Sequence, residues 1–176
     1  MFNLKHTYLN SAYMGPMPAL AKARVQEWLE SLQDPAFTNF EARLKFLERV
    51  REKIGRLLGA PSRNIALGAS VSEFTGHVAN GLELHPGDNV VLMDGDFPSM
   101  ILPWMVASEA RGFQVRRLPR EVFLNPEKFA AELNDRTRYA GCSHVMFNTG
   151  LQLPVAKLGR ICRKNGVLFL ADTSQR

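Results

Sequence analysis

Cysteine is scarce: the 176 residues hold two, Cys142 and Cys162, and neither stands in a C-x-x-C or other metal-ligand spacing. No disulfide framework or zinc site is encoded, and both read as packing residues with free thiols. Long apolar runs are missing too, because Arg, Lys, Asp or Glu interrupts every stretch before the roughly 20 residues that a membrane-spanning helix needs. The first ten residues, MFNLKHTYLN, lack the basic, apolar and small-residue regions of a signal peptide, so the expected location is the cytoplasm. Neither GxGxxG nor GxxxxGK[ST] occurs, which leaves a nucleotide-binding domain without its fingerprint. Charge of one sign is not concentrated either. The net charge is +5, but the longest charged segment, EARLKFLERVREKIGR, interleaves Glu with Arg and Lys at helical spacing, the pattern of a solvated helix face. Two denser basic patches, RGFQVRRLPR and RICRK, lack the alternating aromatic residues of a base-stacking surface, which argues against nucleic acid.

What is present suits a folded domain: 45% hydrophobic and 22% charged residues are enough to bury a core. From Pro18 to Leu32, the residues Leu20, Val25, Trp28, Leu29 and Leu32 fall largely on one helical face. A loop at Asp34 and Pro35 then leads to a second stripe of Phe40, Leu44, Leu47, Val50, Ile54, Leu57 and Leu58, closed by Gly59 and Pro61. After Ser62 the pattern alternates. Strands are expected at Asn64 to Leu67, Asn89 to Met93, Gln114 to Leu118, Tyr139 to Phe147 and Val167 to Ala171. Helices are expected at Ser72 to Leu82, Ser99 to Ala110, Pro126 to Leu133 and Val155 to Asn165. Such alternation predicts an α/β fold, a mostly parallel sheet with helices on both faces. The division expected is a segment with two helices over 1–61 and an α/β domain over 62–176.

Four strand ends carry candidate chemistry. LGASVSEFTGHVANGL passes through small residues into a helix, where exposed amides and the Ser70 and Ser72 hydroxyls suit a phosphate. The same residues also read as an N-cap, with Glu73 favoured near the positive helix end. In MDGDFPSMILPW, Phe97 would follow a strand and could stack on a planar ligand or cover the core. Asp94 and Asp96 read as turn residues, since no His or further carboxylate joins them at metal-binding spacing. SHVMFNTGLQLPV ends a strand in the polar turn Asn148, Thr149 and Gly150. His144 reads as a core or edge histidine, and His77 has no evident catalytic partner. Finally, LFLADTSQ sets Asp172 at the end of an apolar strand, as a cap or as an anion facing a protonated ring nitrogen.

Taken in order, YLNSAYMGPMP, GASVSEFTGHVANGL, GDNVVLMDGDFPSMILPW, SHVMFNTGLQLPV and LFLADTSQ resemble the class V aminotransferase family of fold-type I pyridoxal-phosphate enzymes. That family includes cysteine desulfurases, selenocysteine lyases, kynureninases and isopenicillin N epimerase-like proteins. The resemblance covers residues 8 to 175. It implies a three-layer α/β/α large domain and pyridoxal 5'-phosphate as cofactor. Its phosphate would lie at Val71 and Ser72, and Phe97 would cover the pyridine face. Asp172 would pair with the pyridinium nitrogen as the catalytic acid partner, and Gln175 would contact the phenolic oxygen. The ionised Asp172 would keep the nitrogen protonated, so that the ring can withdraw electrons from a substrate carbanion. It further implies a small amino acid as substrate and a homodimer.

Two departures accompany the resemblance. Many members carry Asn where Phe147 stands, so Asn148 or Thr149 would have to supply that polar contact. The Schiff-base lysine, which the family places after the Asp-x-x-Gln segment, has no counterpart here, since Lys157 and Lys164 fall on another element. The expectation is therefore the N-terminal part of a longer enzyme, without its small C-terminal domain, catalysing transamination, desulfuration, epimerisation or kynureninase-like cleavage. The rival expectation is a truncated, non-catalytic binding or assembly module, or a gene remnant, of the same fold.

Overall fold

The computed structural model describes residues 4–10, 12–33 and 39–175; the expected loop at Asp34 and Pro35 lies outside them. The chain divides into two compact units, Met1–Leu67 and Gly68–Arg176. The first contains α1 (Ala19–Ser31) and α2 (Phe40–Leu58). The Asn39 side chain caps α2 by accepting from the Ala42 N–H at 3.0 Å, and Gly59 ends it in the left-handed region at φ 66°, where a residue without Cβ is at ease. The strand expected at Asn64 to Leu67 is not formed. Ser62–Asn64 makes a single 3-10 turn behind Pro61, and the three residues that remain are too few to hold a ladder and lie outside the sheet.

The second unit contains α3 (Val71–Gly81), β1 (Asn89–Met93), α4 (Pro98–Arg111), β2 (Gln114–Leu118), α5 (Arg120–Leu124), α6 (Pro126–Glu132), β3 (Thr137–Ser143), α7 (Val155–Lys164) and β4 (Leu168–Asp172). The four strands are all parallel, in the order β2-β1-β3-β4. Successive strand side chains point to opposite faces, and here both faces are apolar. Val91, Met93, Ala140 and Cys142 pack on Phe123, Phe129, Leu158 and Cys162 of α5, α6 and α7. Val90, Leu92 and Tyr139 pack on Ala79, Ile101, Trp104 and Ala107 of α3 and α4. The result is the expected three-layer α/β/α arrangement. Each large apolar side chain buried this way stabilises the layers by about 1.5–3 kcal/mol.

Strands β3 and β4 differ in their bounds from the sequence reading. β3 stops at Ser143 rather than Phe147. The apolar run beyond it turns back on itself, with Val145 bridged to Gln152 in antiparallel fashion and the Met146 N–H donating to the Leu151 carbonyl at 3.0 Å. Apolar content alone does not separate a strand from a buried hairpin arm. β4 begins and ends one residue later than expected, so Asp172 closes the ladder opposite Ser143 instead of following it. Helix α5 was not expected; Pro119 starts it and Phe123 fastens it to the core.

Candidate functional site

Parallel strands bring their carboxyl ends to one edge, and ligands of open α/β sheets bind where the strand order reverses. Here β1 is followed by β2 on one side and by β3 and β4 on the other, so the reversal lies between β1 and β3. The segments leaving that edge are Asp94 to Phe97 after β1, His144 to Pro154 after β3, and Thr173 to Gln175 after β4.

Ser70 caps α3, its Oγ accepting from the Glu73 N–H at 3.2 Å, while the Glu73 carboxylate accepts from the Ala69 N–H at 2.7 Å. That amide, with His77 alongside, holds the Glu73 carboxyl below the usual carboxylate range. The capping reading of Ser70 is thus realised, and the first-turn amides of Val71 and Ser72 still have no acceptor within the helix. Ser72 and Phe97 share an open groove of about 400 Å³ between α3 and α4, floored by Leu102, Pro103 and Val106.

Phe97 is the N-cap residue of α4 and is 45% exposed. Its ring meets that of Phe147 edge to face, with centroids 5.2 Å apart, an arrangement that aromatic quadrupoles favour. Phe147 is therefore the residue of the β3 loop that reaches Phe97. Asn148 and Thr149 lie exposed at the loop's tip, where the Thr149 Oγ1 accepts from the Leu151 N–H at 3.3 Å. Asp172 stands at the end of β4, and its Oδ1 accepts from both the Ser174 N–H at 2.9 Å and the Ser174 hydroxyl at 2.6 Å. Gln175 follows three residues on, partly buried.

Asp94 is an exposed turn residue paired with Arg117. Asp96 departs from the turn reading: it is 6% exposed and bonded to Ser143 across the strand ends. Sequence reasoning missed it because its partner is 47 residues away; the one local signal was its place beside Phe97. His144 is buried, its Nε2 lying 3.1 Å from the Gln152 side-chain nitrogen, and His77 is exposed beside Glu73. Cys142 and Cys162 are buried free thiols. Burial pushes Cys142 well above the ordinary thiol range and Cys162 up to about 12, so neither is poised as a nucleophile. Lys157 and Lys164 lie on α7. Among the described residues, no group of three or more His, Cys, Asp or Glu could hold a metal ion, and no helix is long and apolar enough to cross a membrane.

Residues 35–176 match the family Aminotransferase class-V. The chain belongs to the class V aminotransferase family. Among curated relatives, an uncharacterized protein of Schizosaccharomyces pombe is 30% identical over 99% of this chain and 40% of its own length. A probable cysteine desulfurase of Methanothermobacter thermautotrophicus is 27% identical over 97% and 44%. An isopenicillin N epimerase of Amycolatopsis lactamdurans is 29% identical over 96% and 44%. Among solved structures, a C-DES mutant with glycine covalently linked to its PLP cofactor superposes with a TM-score of 0.86 at 25% identity, over 97% of this chain and 47% of the other. This class V aminotransferase chain thus spans less than half the length of the relatives it matches. Family and fold agree with the resemblance carried by the five motifs.

Proposed function

We propose that this chain supplies the cofactor-binding part of a pyridoxal-phosphate-dependent enzyme acting on a small amino acid. What supports the reading is that the amino end of α3 and the exposed Phe97 ring line one groove, while the Asp172 carboxylate stands at the carboxyl end of β4 in the same parallel sheet. These three features answer the three parts of the cofactor: an anion, a flat ring and a basic ring nitrogen. The amides of Val71 and Ser72 would hold the phosphate, Phe97 would lie against the ring, and Asp172 would keep its nitrogen protonated through the oxygen that Ser174 does not engage. Gln175 would approach the phenolic oxygen. Phe147, an apolar ring, stands where a polar contact is usual in the family, leaving Asn148 and Thr149 as the nearest polar groups in sequence. When bound, the cofactor supplies an electron sink for the bond broken at the substrate's Cα.

The relatives include a probable desulfurase, a C–S lyase and an epimerase, and the reaction proposed is one of these or, as further alternatives, transamination or kynureninase-like cleavage. The site would be completed by further chain carrying the Schiff-base lysine. A homodimer is the assembly proposed, supported by the exposed Leu102 and Val106 of α4 that line the groove, and the cytoplasm is its proposed location.

The test is Asp172→Ala in the whole protein that carries this chain. The expected outcome is retained phosphate-dependent cofactor binding with turnover lowered by at least about 100-fold, the scale of losing a charge-stabilising group. A wild-type protein that takes up no pyridoxal phosphate, or an Asp172→Ala variant with unchanged turnover, overturns the reading.

A further inference from the structure

A carboxylate taken out of water is costly unless donors surround it, and Asp96 is held by three. Its Oδ1 accepts from the Phe97 N–H at 2.7 Å and from the Ser143 hydroxyl at 2.5 Å, and its Oδ2 accepts from the Ser143 N–H at 2.7 Å. All three bonds are of the short, charge-assisted kind. They join two segments that lead to helices on opposite faces of the sheet, the β1 loop that starts α4 and the end of β3.

Each partner of Asp96 leads to one side of the candidate site. Phe97 is bonded directly through its backbone. Ser143 is the register partner of Asp172 on β4, and the next residue, His144, donates its N–H to the Asp172 carbonyl at 2.8 Å. One buried carboxylate therefore fixes both the residue that carries the exposed ring and the strand residue against which Asp172 is aligned. Beyond Leu92 and Gly141, the last register pair of β1 and β3, the Asp96 bonds carry the connection on into the loops, alongside the Phe97–Phe147 ring contact.

We infer that Asp96 is a positioning residue: through Phe97 and Ser143 it sets the spacing and angle between the Phe97 ring and the Asp172 carboxylate, and hence the orientation of the planar cofactor. This rests on the functional reading above. Asp96 does not touch the cofactor, so its contribution is to geometry rather than to chemistry. Neither Asp96 nor Ser143 serves as a surface charge, since both are buried.

The experiment compares Asp96→Asn, Ser143→Ala and, as a control, Asp88→Asn in the whole protein. Asn at 96 keeps the volume and one acceptor but sets an NH2 against the Ser143 N–H. Ser143→Ala removes a single donor and guards against misfolding of the first variant. Asp88 is an equally buried carboxylate at the opposite, amino-terminal end of β1. Pyridoxal phosphate affinity and the induced circular dichroism of the bound cofactor are measured, together with the melting temperature of the apo form.

Asp96→Asn is expected to weaken binding by about tenfold, the scale of one or two lost hydrogen bonds, and to alter the induced dichroism; Ser143→Ala should do the same more weakly. Asp88→Asn should lower the melting temperature and leave the dichroism as in wild type. Wild-type affinity and dichroism in both Asp96→Asn and Ser143→Ala would overturn the inference alone, as would a dichroism change of equal size in Asp88→Asn. Failure of the wild type to take up the cofactor would overturn the functional reading and this inference with it.

Discussion

Gly141 lies in the middle of β3, between Leu92 and Leu170, where the neighbouring Tyr139 ring folds across it. A Cβ at this position would stand 2.5 Å from the Tyr139 hydroxyl and 2.9 Å from two ring carbons. The ring cannot swing clear, because it is fully buried with its centroid 4.0 Å from that of Trp104. Gly141→Ala should therefore lower stability by about 1–3 kcal/mol, the usual cost of overpacking, read as a reduced midpoint in urea. Asp88 gives a second residue-scale prediction. The His85 N–H, at 3.0 Å, and then Arg138, at 3.1 Å, hold its carboxyl below its ordinary value of 3.8. A depressed folded-state pKa stabilises above the unfolded value and is lost as pH falls through the folded one. The melting temperature of Asp88→Asn should consequently lie below wild type at neutral pH, and the gap should close below about pH 4. A gap that stays constant into acid would show that Asp88 acts by packing alone.

Among the elements, α3 depends most visibly on its own sequence. Ser70 and Glu73 form a reciprocal cap in which each side chain takes a backbone amide of the helix entrance. Ser70→Ala should cost about 1 kcal/mol of stability, measurable by chemical denaturation. At the other end Arg111 of α4 donates to the carbonyls of Ala79 and Leu82 at 2.8 and 2.7 Å, so α3 and α4 are fastened side by side. This clamp keeps Ser72 and Phe97 on one groove. Such element-level features were only partly legible. The S-x-x-E spacing announces the cap, whereas nothing near Arg111 in the chain points to acceptors 27 to 32 residues away.

At the scale of the whole molecule, the second unit keeps apolar surface in contact with water. Leu102 and Val106 of α4 are 54% and 68% exposed, and Leu168 on the edge strand β4 is 47% exposed. A parallel strand is ordinarily covered on both faces and paired on both sides, and an open apolar edge recruits other chains. The 176-residue polypeptide produced alone is expected to self-associate, with sedimentation showing species larger than a monomer. Leu168→Lys should shift it toward the monomer. A single monomeric species that unfolds cooperatively would contradict this.

The sequence by itself determined the alternation of strands and helices, because a period of two or of 3.6 in apolar positions is imposed locally by backbone geometry. It also carried, in five ordered motifs, the family to which the chain belongs, and it marked Phe97 and Asp172 by their places after apolar strands. Tertiary structure decided what depends on distant partners. The run from His144 to Phe147 became a hairpin because Val145 meets Gln152 instead of a neighbouring strand. The apolar Ile65 to Leu67 stayed outside the sheet for want of a ladder. Asp96, in sequence one more acid in a turn, became the buried link between β1 and β3. A carboxylate's role is set by which donors surround it, and those donors come together only when the sheet has formed.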